Sequence, residues 1–196
     1  MKIDKNDVLN SILQNISNTK CVHSDMVPNI DLYMDQVTNF MEDNLKTCKR
    51  YEDDKILTKT MINNYVKDGI LPAPVKKKYS KEHLLLLVLI YYLKNILSIK
   101  DVESIIKPLS EKYFHAEEGL NITDIYNTFA KTEPGFSATL KEDIIKSHSI
   151  ATSLFHEAPD EEREMLQQLT FIYTLIFDVY AKKQLIEAMI DSLTTE

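Results

Sequence analysis

The chain has 196 residues, 44% of them hydrophobic and 27% charged, with a formal net charge of −7; this is the composition of a globular protein and excludes a disordered or collagen-like chain. Only three glycines, Gly69, Gly119 and Gly135, punctuate it, so long helices with few tight hairpins are expected and the fold class is mostly α. The longest apolar run, residues 84–93, is about half of the roughly 20 positions needed to cross a bilayer, and Asp4, Asn6, Asp7 and Asn10 interrupt any signal-peptide core, so a cytoplasmic location without a membrane partner is expected.

In chain order, Asp4 and Asp7 can cap a first helix whose Val8, Leu9, Ile12, Leu13 and Ile16 share one face. Residues 17–29 show no sustained period and read as a connection. Asp31 is expected to cap a second helix, with Leu32, Tyr33, Val37, Phe40, Met41 and Leu45 buried and Asp35, Gln36, Asn39, Glu42 and Asp43 wet. Thr58 caps a third, short helix that Gly69 ends. Its Met61, Ile62, Tyr65 and Val66 face inward, while Lys59, Asn63 and Lys67, spaced by four, line the opposite side beside Thr60 and Asn64. Pro72 and Pro74 forbid a helix across residues 71–75, and with Ile70 and Leu71 before and residues 76–79 after, the stretch can make a two-stranded wing.

Ser80 caps the next helix, apolar on every side over residues 84–93, as a central buried helix would be. Ser98 and Asp101 cap another, whose stripe Ile99, Val102, Ile105, Ile106 and Leu109 runs up to Pro108. Residues 121–131 form a short amphipathic helix with Ile122, Ile125, Tyr126 and Phe129, closed by Pro134 and Gly135. Thr139 and Glu142 form a capping box for a helix carrying Leu140, Ile144, Ile145, His148, Ala151, Thr152 and Phe155 on one face. Pro159 and the acids Asp160, Glu161, Glu162 and Glu164 suit the positive end of a terminal helix reaching about Leu193. The apolar middle of that helix, residues 171–180, is expected either to be buried within the monomer or to form a homodimer interface.

Charge is unevenly divided. Residues 49–81 hold nine basic side chains (Lys49, Arg50, Lys55, Lys59, Lys67, Lys76, Lys77, Lys78, Lys81) against four acidic ones, a balance of +5 that leaves −12 for the rest. Attraction for a polyanion is thereby concentrated in one region. A helix with hydrogen-bonding side chains on its exposed face, beside cations that neutralise phosphates, is what duplex recognition needs. Asn63 and Asn64 can pair with adenine edges, and Lys59, Lys67, Lys76, Lys77 and Lys78 can hold the backbone. Elsewhere the chemistry is sparse. Cys21 and Cys48 have no metal-site spacing, and His23, His83, His115 and His156 make no HExxH pattern. His148, between two serines, lies on an apolar stripe and reads as a packed histidine. No enzyme, metal or cofactor is expected.

The run NNYVKDGIL (residues 63–71) followed by KKKYSKEHLLLL (residues 76–87) resembles the recognition helix, wing and supporting helix of MerR-type winged helix-turn-helix regulators. In that likeness Tyr65 matches the second of two tyrosines, Gly69, Ile70 and Leu71 the turn, Lys77 the wing arginine, and Tyr79 the tyrosine before the buried helix. Asn63 stands where that family has a phosphate-binding arginine, and Asn64 replaces the first tyrosine. The segments LYMDQV, LTKTMINNYVKDGILP and KKYSKEH resemble more closely a bacterial family known only as domain of unknown function 1836, over about residues 30–109. That resemblance implies the same fold and brings no established activity. The expected organisation is an N-terminal helix and connection (residues 1–30), a MerR-like winged helix-turn-helix (31–109) and an acidic all-helical domain for dimerisation or effector sensing (110–196). The expected function is duplex-DNA binding in transcriptional regulation through Lys59, Thr60, Asn63, Asn64, Tyr65, Lys67, Lys76, Lys77, Lys78 and Tyr79. The alternative is a non-catalytic protein-interaction module on the same fold.

Overall fold

The computed structural model of the protein describes residue 13 and residues 22–193, with the side chains of residues 133–137 left aside. The first expected helix falls outside the described residues except for Leu13, which is helical and half-buried; Cys21 falls outside them too. The chain is mostly α and forms two compact units that divide between Thr132 and Glu133.

The unit Asn18–Thr132 begins with a two-residue strand, β1 (Leu32–Tyr33), followed by helix α1 (Met34–Leu45) and a single 3₁₀ turn, Lys46–Cys48. Helix α2 (Lys59–Lys67), strand β2 (Lys78–Tyr79), α3 (Lys81–Lys94), α4 (Ile99–Tyr113) and α5 (Ile122–Ala130) complete it. Strands β1 and β2 pair antiparallel, Leu32 opposite Tyr79 and Tyr33 opposite Lys78. The expected second helix therefore starts later. Asp31 caps nothing there; Tyr33 is the N-cap residue, and its N–H donates to Gln36 Oε1 at 2.9 Å. The alternation of a strand turns Leu32 into the core and Tyr33, expected to be buried, out to 53% exposure.

The core is built around α3, in which residues 82–88, Ile90 and Tyr91 are all buried. Such all-round burial requires neighbours on every side, and α3 packs against α4, α5 and β2. Val37, Met41 and Leu45 of α1, Ile62 of α2, Ile70, Leu71, Val102 and Ile106 are each at most 1% exposed. Lys94 Nζ, at the end of α3, donates to the Ile56 carbonyl at 2.9 Å and so fixes the approach to α2. Burial lowers the Lys94 pKa.

Helix α4 runs through Pro108 to Tyr113 rather than stopping at the proline. The missing N–H removes one helical bond. Buried Ile106 and Ser110 on either side keep the last turns packed, with Ser110 Oγ bonded to the Lys107 carbonyl at 2.9 Å. The boundary expected at residue 109 thus falls inside a helix. The unit extends to α5, which packs on α3 and α4 and buries Ile122 and Tyr126, the latter bonded to the Val22 carbonyl. Phe129 and Ile99, expected on buried stripes, are about half exposed.

The other unit contains α6 (Glu133–Thr152) and α7 (Asp160–Leu193), which pack on each other. Helix α6 begins at Glu133, so residues 134 and 135 open it instead of closing the preceding helix, a position where proline's missing N–H is not needed. Thr139 consequently lies inside the helix and not at its N-cap. The turn between the helices is tied by side chains of α7. Gln167 Nε2 donates to the Thr152 and Leu154 carbonyls at 2.8 and 2.9 Å, and the Arg163 guanidinium donates to the carbonyls of Phe155, His156 and Ala158. His148 packs edge-on to Phe171 with ring centroids 5.2 Å apart. The middle of α7 is not covered, since Leu169, Ile172, Tyr173, Ile176 and Val179 are all more than half exposed. No helix among the described residues is long and apolar enough to cross a membrane.

Candidate nucleic-acid interface

Helix α2 owes its limits to local chemistry. The Thr58 hydroxyl accepts from the Met61 N–H at 3.2 Å, which satisfies one orphan donor of the first turn. At the other end Gly69 has φ +74°, the Gly69 N–H donates to the Val66 carbonyl (3.2 Å) and the Ile70 N–H to the Tyr65 carbonyl (2.9 Å). This double bond pattern is a Schellman closure, which needs a residue free to take the left-handed conformation. Ile62 and Tyr65 are buried, while Lys59, Thr60, Asn63, Asn64 and Lys67 are all exposed. Lys67 lies two turns from Lys59, roughly 12 Å along the axis at 1.5 Å per residue.

The hairpin that follows α2 is made differently from the expected wing. Lys78 and Tyr79 do not pair with Ile70 and Leu71, which are buried in the core. They pair with β1, and Val75 bridges to Lys78 across a two-residue turn. The Lys78 N–H donates to the Val75 carbonyl at 2.9 Å, and both turn residues have positive φ, Lys76 +51° and Lys77 +65°. Positive φ at both central positions belongs to the type I′ hairpin turn, where asparagine and glycine are the favoured residues. A Cβ in this conformation is unfavourable by about 1 kcal/mol, so two lysines here are poor choices for stability and place two ammonium groups at an exposed tip. Lys77→Gly is accordingly expected to raise the unfolding free energy by up to about 1 kcal/mol in urea titration, while weakening any binding that depends on the tip charge.

Contacts join this tip to α2. The Lys78 Nζ lies 5.1 Å from the centroid of the Tyr33 ring, a cation–π arrangement. Two residues beyond Tyr33, Asp35 forms an ion pair with Lys59 Nζ. Both partners are well exposed, so the pair adds little to stability. The structure thereby brings Lys59, Tyr33, Asp35, Lys76, Lys77 and Lys78 onto neighbouring elements of one unit. Tyr65 and Tyr79 differ from the rest of the candidate set: they are 6% and 3% exposed, and burial pushes both phenol pKa values up. Their rings serve packing. Tyr33 and Asp35 are the residues that sequence reasoning left out of the candidate set: a strand of two residues carries no readable period to turn Tyr33 outward, and Asp35, read as wet, gave no sign of its pairing with Lys59.

Beneath the wing sits a buried histidine. His83 takes the place of the usual glutamate in the α3 capping box: its Nδ1 accepts the Ser80 N–H at 3.0 Å and lies 2.9 Å from Ser80 Oγ. That bond assigns the proton to Nε2, which is buried and, among the described residues, has no partner at good hydrogen-bond geometry. The ring is 1% exposed and lies edge-on to Tyr79 and to Phe114, at 5.4 and 4.6 Å. Burial lowers its pKa from 6.5 to about 4, and the nearby His115 adds to the shift, whereas the Ala73 and Pro72 carbonyls and Asp31 oppose it. His115 is held by the buried Glu82, whose Oε2 accepts from its backbone N–H at 2.7 Å and lies 2.9 Å from its Nδ1.

Residues 22–129, more than half of the chain, match the family described as a domain of unknown function (DUF1836). The chain belongs to the DUF1836 family. The matched region takes in every residue of the candidate surface described above and ends at Phe129, close to the end of the unit Asn18–Thr132. Compared with curated proteins and with solved structures, the chain finds no match. The DUF1836 description assigns no activity, so the chemistry of the exposed residues has to carry the functional argument.

Proposed function

We propose that this DUF1836 protein is a cytoplasmic, non-catalytic transcriptional regulator that binds duplex DNA through a MerR-like winged helix-turn-helix. Helix α2 enters the major groove with Asn63 and Asn64 toward base edges, and Lys59, Lys67 and the wing lysines hold the flanking phosphates. The observation that supports this best is the turn at Lys76 and Lys77. Left-handed lysines at a hairpin tip are disfavoured for folding and suited to holding a polyanion.

A homodimer through α7 accompanies the proposal. Met165, Leu169, Ile172, Ile176 and Val179 recur at alternating spacings of four and three along its uncovered face, the repeat of a coiled-coil seam. The same face favours the alternative, a module that docks another protein. Selection of bound fragments from sheared genomic DNA by the purified full chain tests the two together. The DNA reading expects salt-sensitive enrichment of sites with two-fold symmetry, their half-sites about one helical turn apart. No enrichment at low salt, together with recovery of one protein partner from nuclease-treated lysate, would replace it with the docking reading.

A further inference from the structure

We infer that Tyr33 is a contact of the same interface, reading no base but gripping the sugar–phosphate backbone of duplex DNA between α2 and the wing; this rests on the duplex-binding reading above. A single exposed tyrosine is ordinary, and exposure alone would say nothing. Three further observations set this one apart. One face of its ring is occupied by the Lys78 ammonium at 5.1 Å. Its backbone is fixed twice, by pairing with Lys78 across the sheet and by the bond from its N–H to Gln36 Oε1. And the helix turn that follows it holds Asp35 against Lys59, so the segment that carries Tyr33 contacts both a cation of α2 and a cation of β2.

Chemically this suits a backbone phosphate. The phenol O–H is a donor that can give a hydrogen bond to a phosphate oxygen, a common use of tyrosine at duplex backbones. The ring face restricts Lys78, so less side-chain freedom is lost when its ammonium meets the neighbouring phosphate. Tyr33 is therefore both a contact and a positioning residue for Lys78.

The test is fluorescence anisotropy of a labelled mixed-sequence duplex of about three helical turns, titrated with the full chain at two salt concentrations. Tyr33→Phe, which keeps the ring, is expected to weaken binding about 3-fold, and Tyr33→Leu about 10-fold. Combined with Lys78→Ala, Tyr33→Leu is expected to add less than its separate effect, because the two side chains act together. The inference is overturned if Tyr33→Leu binds as tightly as the natural chain while the double variant Lys76→Ala/Lys77→Ala binds more weakly; duplex binding would then stand without Tyr33. If the natural chain binds no duplex even at low salt, the functional reading itself falls and the inference falls with it.

Discussion

Replacing Lys59, Lys76, Lys77 and Lys78 together by alanine is expected to lower affinity for a mixed-sequence duplex about 100-fold near 0.1 M salt and to flatten the dependence of log K on log salt by about three to four units. Each lysine lost from a phosphate contact leaves its counterion in place, and the slope changes by about 0.9 per contact. Lys59, Lys76 and Lys77 are exposed, so melting behaviour should change little, and alanine at Lys100 and Lys107 on α4, both exposed as well, serves as the control that leaves binding unaltered. Asp35 makes the Lys59 term larger than that of a lone contact. Once its partner is gone, its exposed carboxylate faces the same polyanion. By the same reasoning Asp35→Asn should tighten binding several-fold. Equal loss from the control lysines would mean that overall charge, and not this surface, attracts the duplex.

Stability should fall by about 3 kcal/mol as the pH drops from about 6.5 to about 4, beyond what the carboxylates contribute. Folding holds His83 neutral, with a pKa lowered to about 4 chiefly by burial. Between that value and the ordinary 6.5 the unfolded chain takes up a proton that the folded chain refuses. The contribution is therefore complete above about pH 6.5, declines through the window and levels off below about pH 4. His83→Gln isolates it. Glutamine at this position can still accept the Ser80 N–H in a capping box, yet it does not titrate. Urea unfolding at about pH 7 and about pH 4.5 should show a smaller difference for the glutamine variant than for the natural chain, and equal differences would count against the assignment.

The link between these two effects is strand β2. His83 supports Tyr79 from below, and Tyr79 pairs with Leu32 while its neighbour Lys78 pairs with Tyr33. A proton on His83 would place a buried charge, on a ring 1% exposed, against the strand that carries Lys78. Loss of duplex affinity in mild acid would follow from loss of this support.

Much of the unit Asn18–Thr132 could be read directly from the residues. The caps at Thr58 and Ser98, the closure at Gly69 and the exposed face of Lys59, Asn63 and Lys67 depend on bonds between residues three to five positions apart, or on the helical period itself. The buried state of α3 follows from its composition, since a helix apolar on all sides has no face to offer water. These features are local, and a local signal is carried by the sequence alone.

What the tertiary structure decided is the placement of elements too short or too permissive to signal themselves. A two-residue strand has no period, so only its partner, more than forty positions away in the chain, shows that Leu32 turns inward and Tyr33 outward. Lysines at 76 and 77 give no hint of a left-handed turn, because nothing local favours it; pairing of Val75 and Lys78 imposes it. Pro108 signals a helix end, yet packing at Ile106 and Ser110 outweighs one lost hydrogen bond. The apolar middle of α7 reads equally well as buried or as an interface, and in the folded protein it is uncovered, since α6 packs against only part of its circumference.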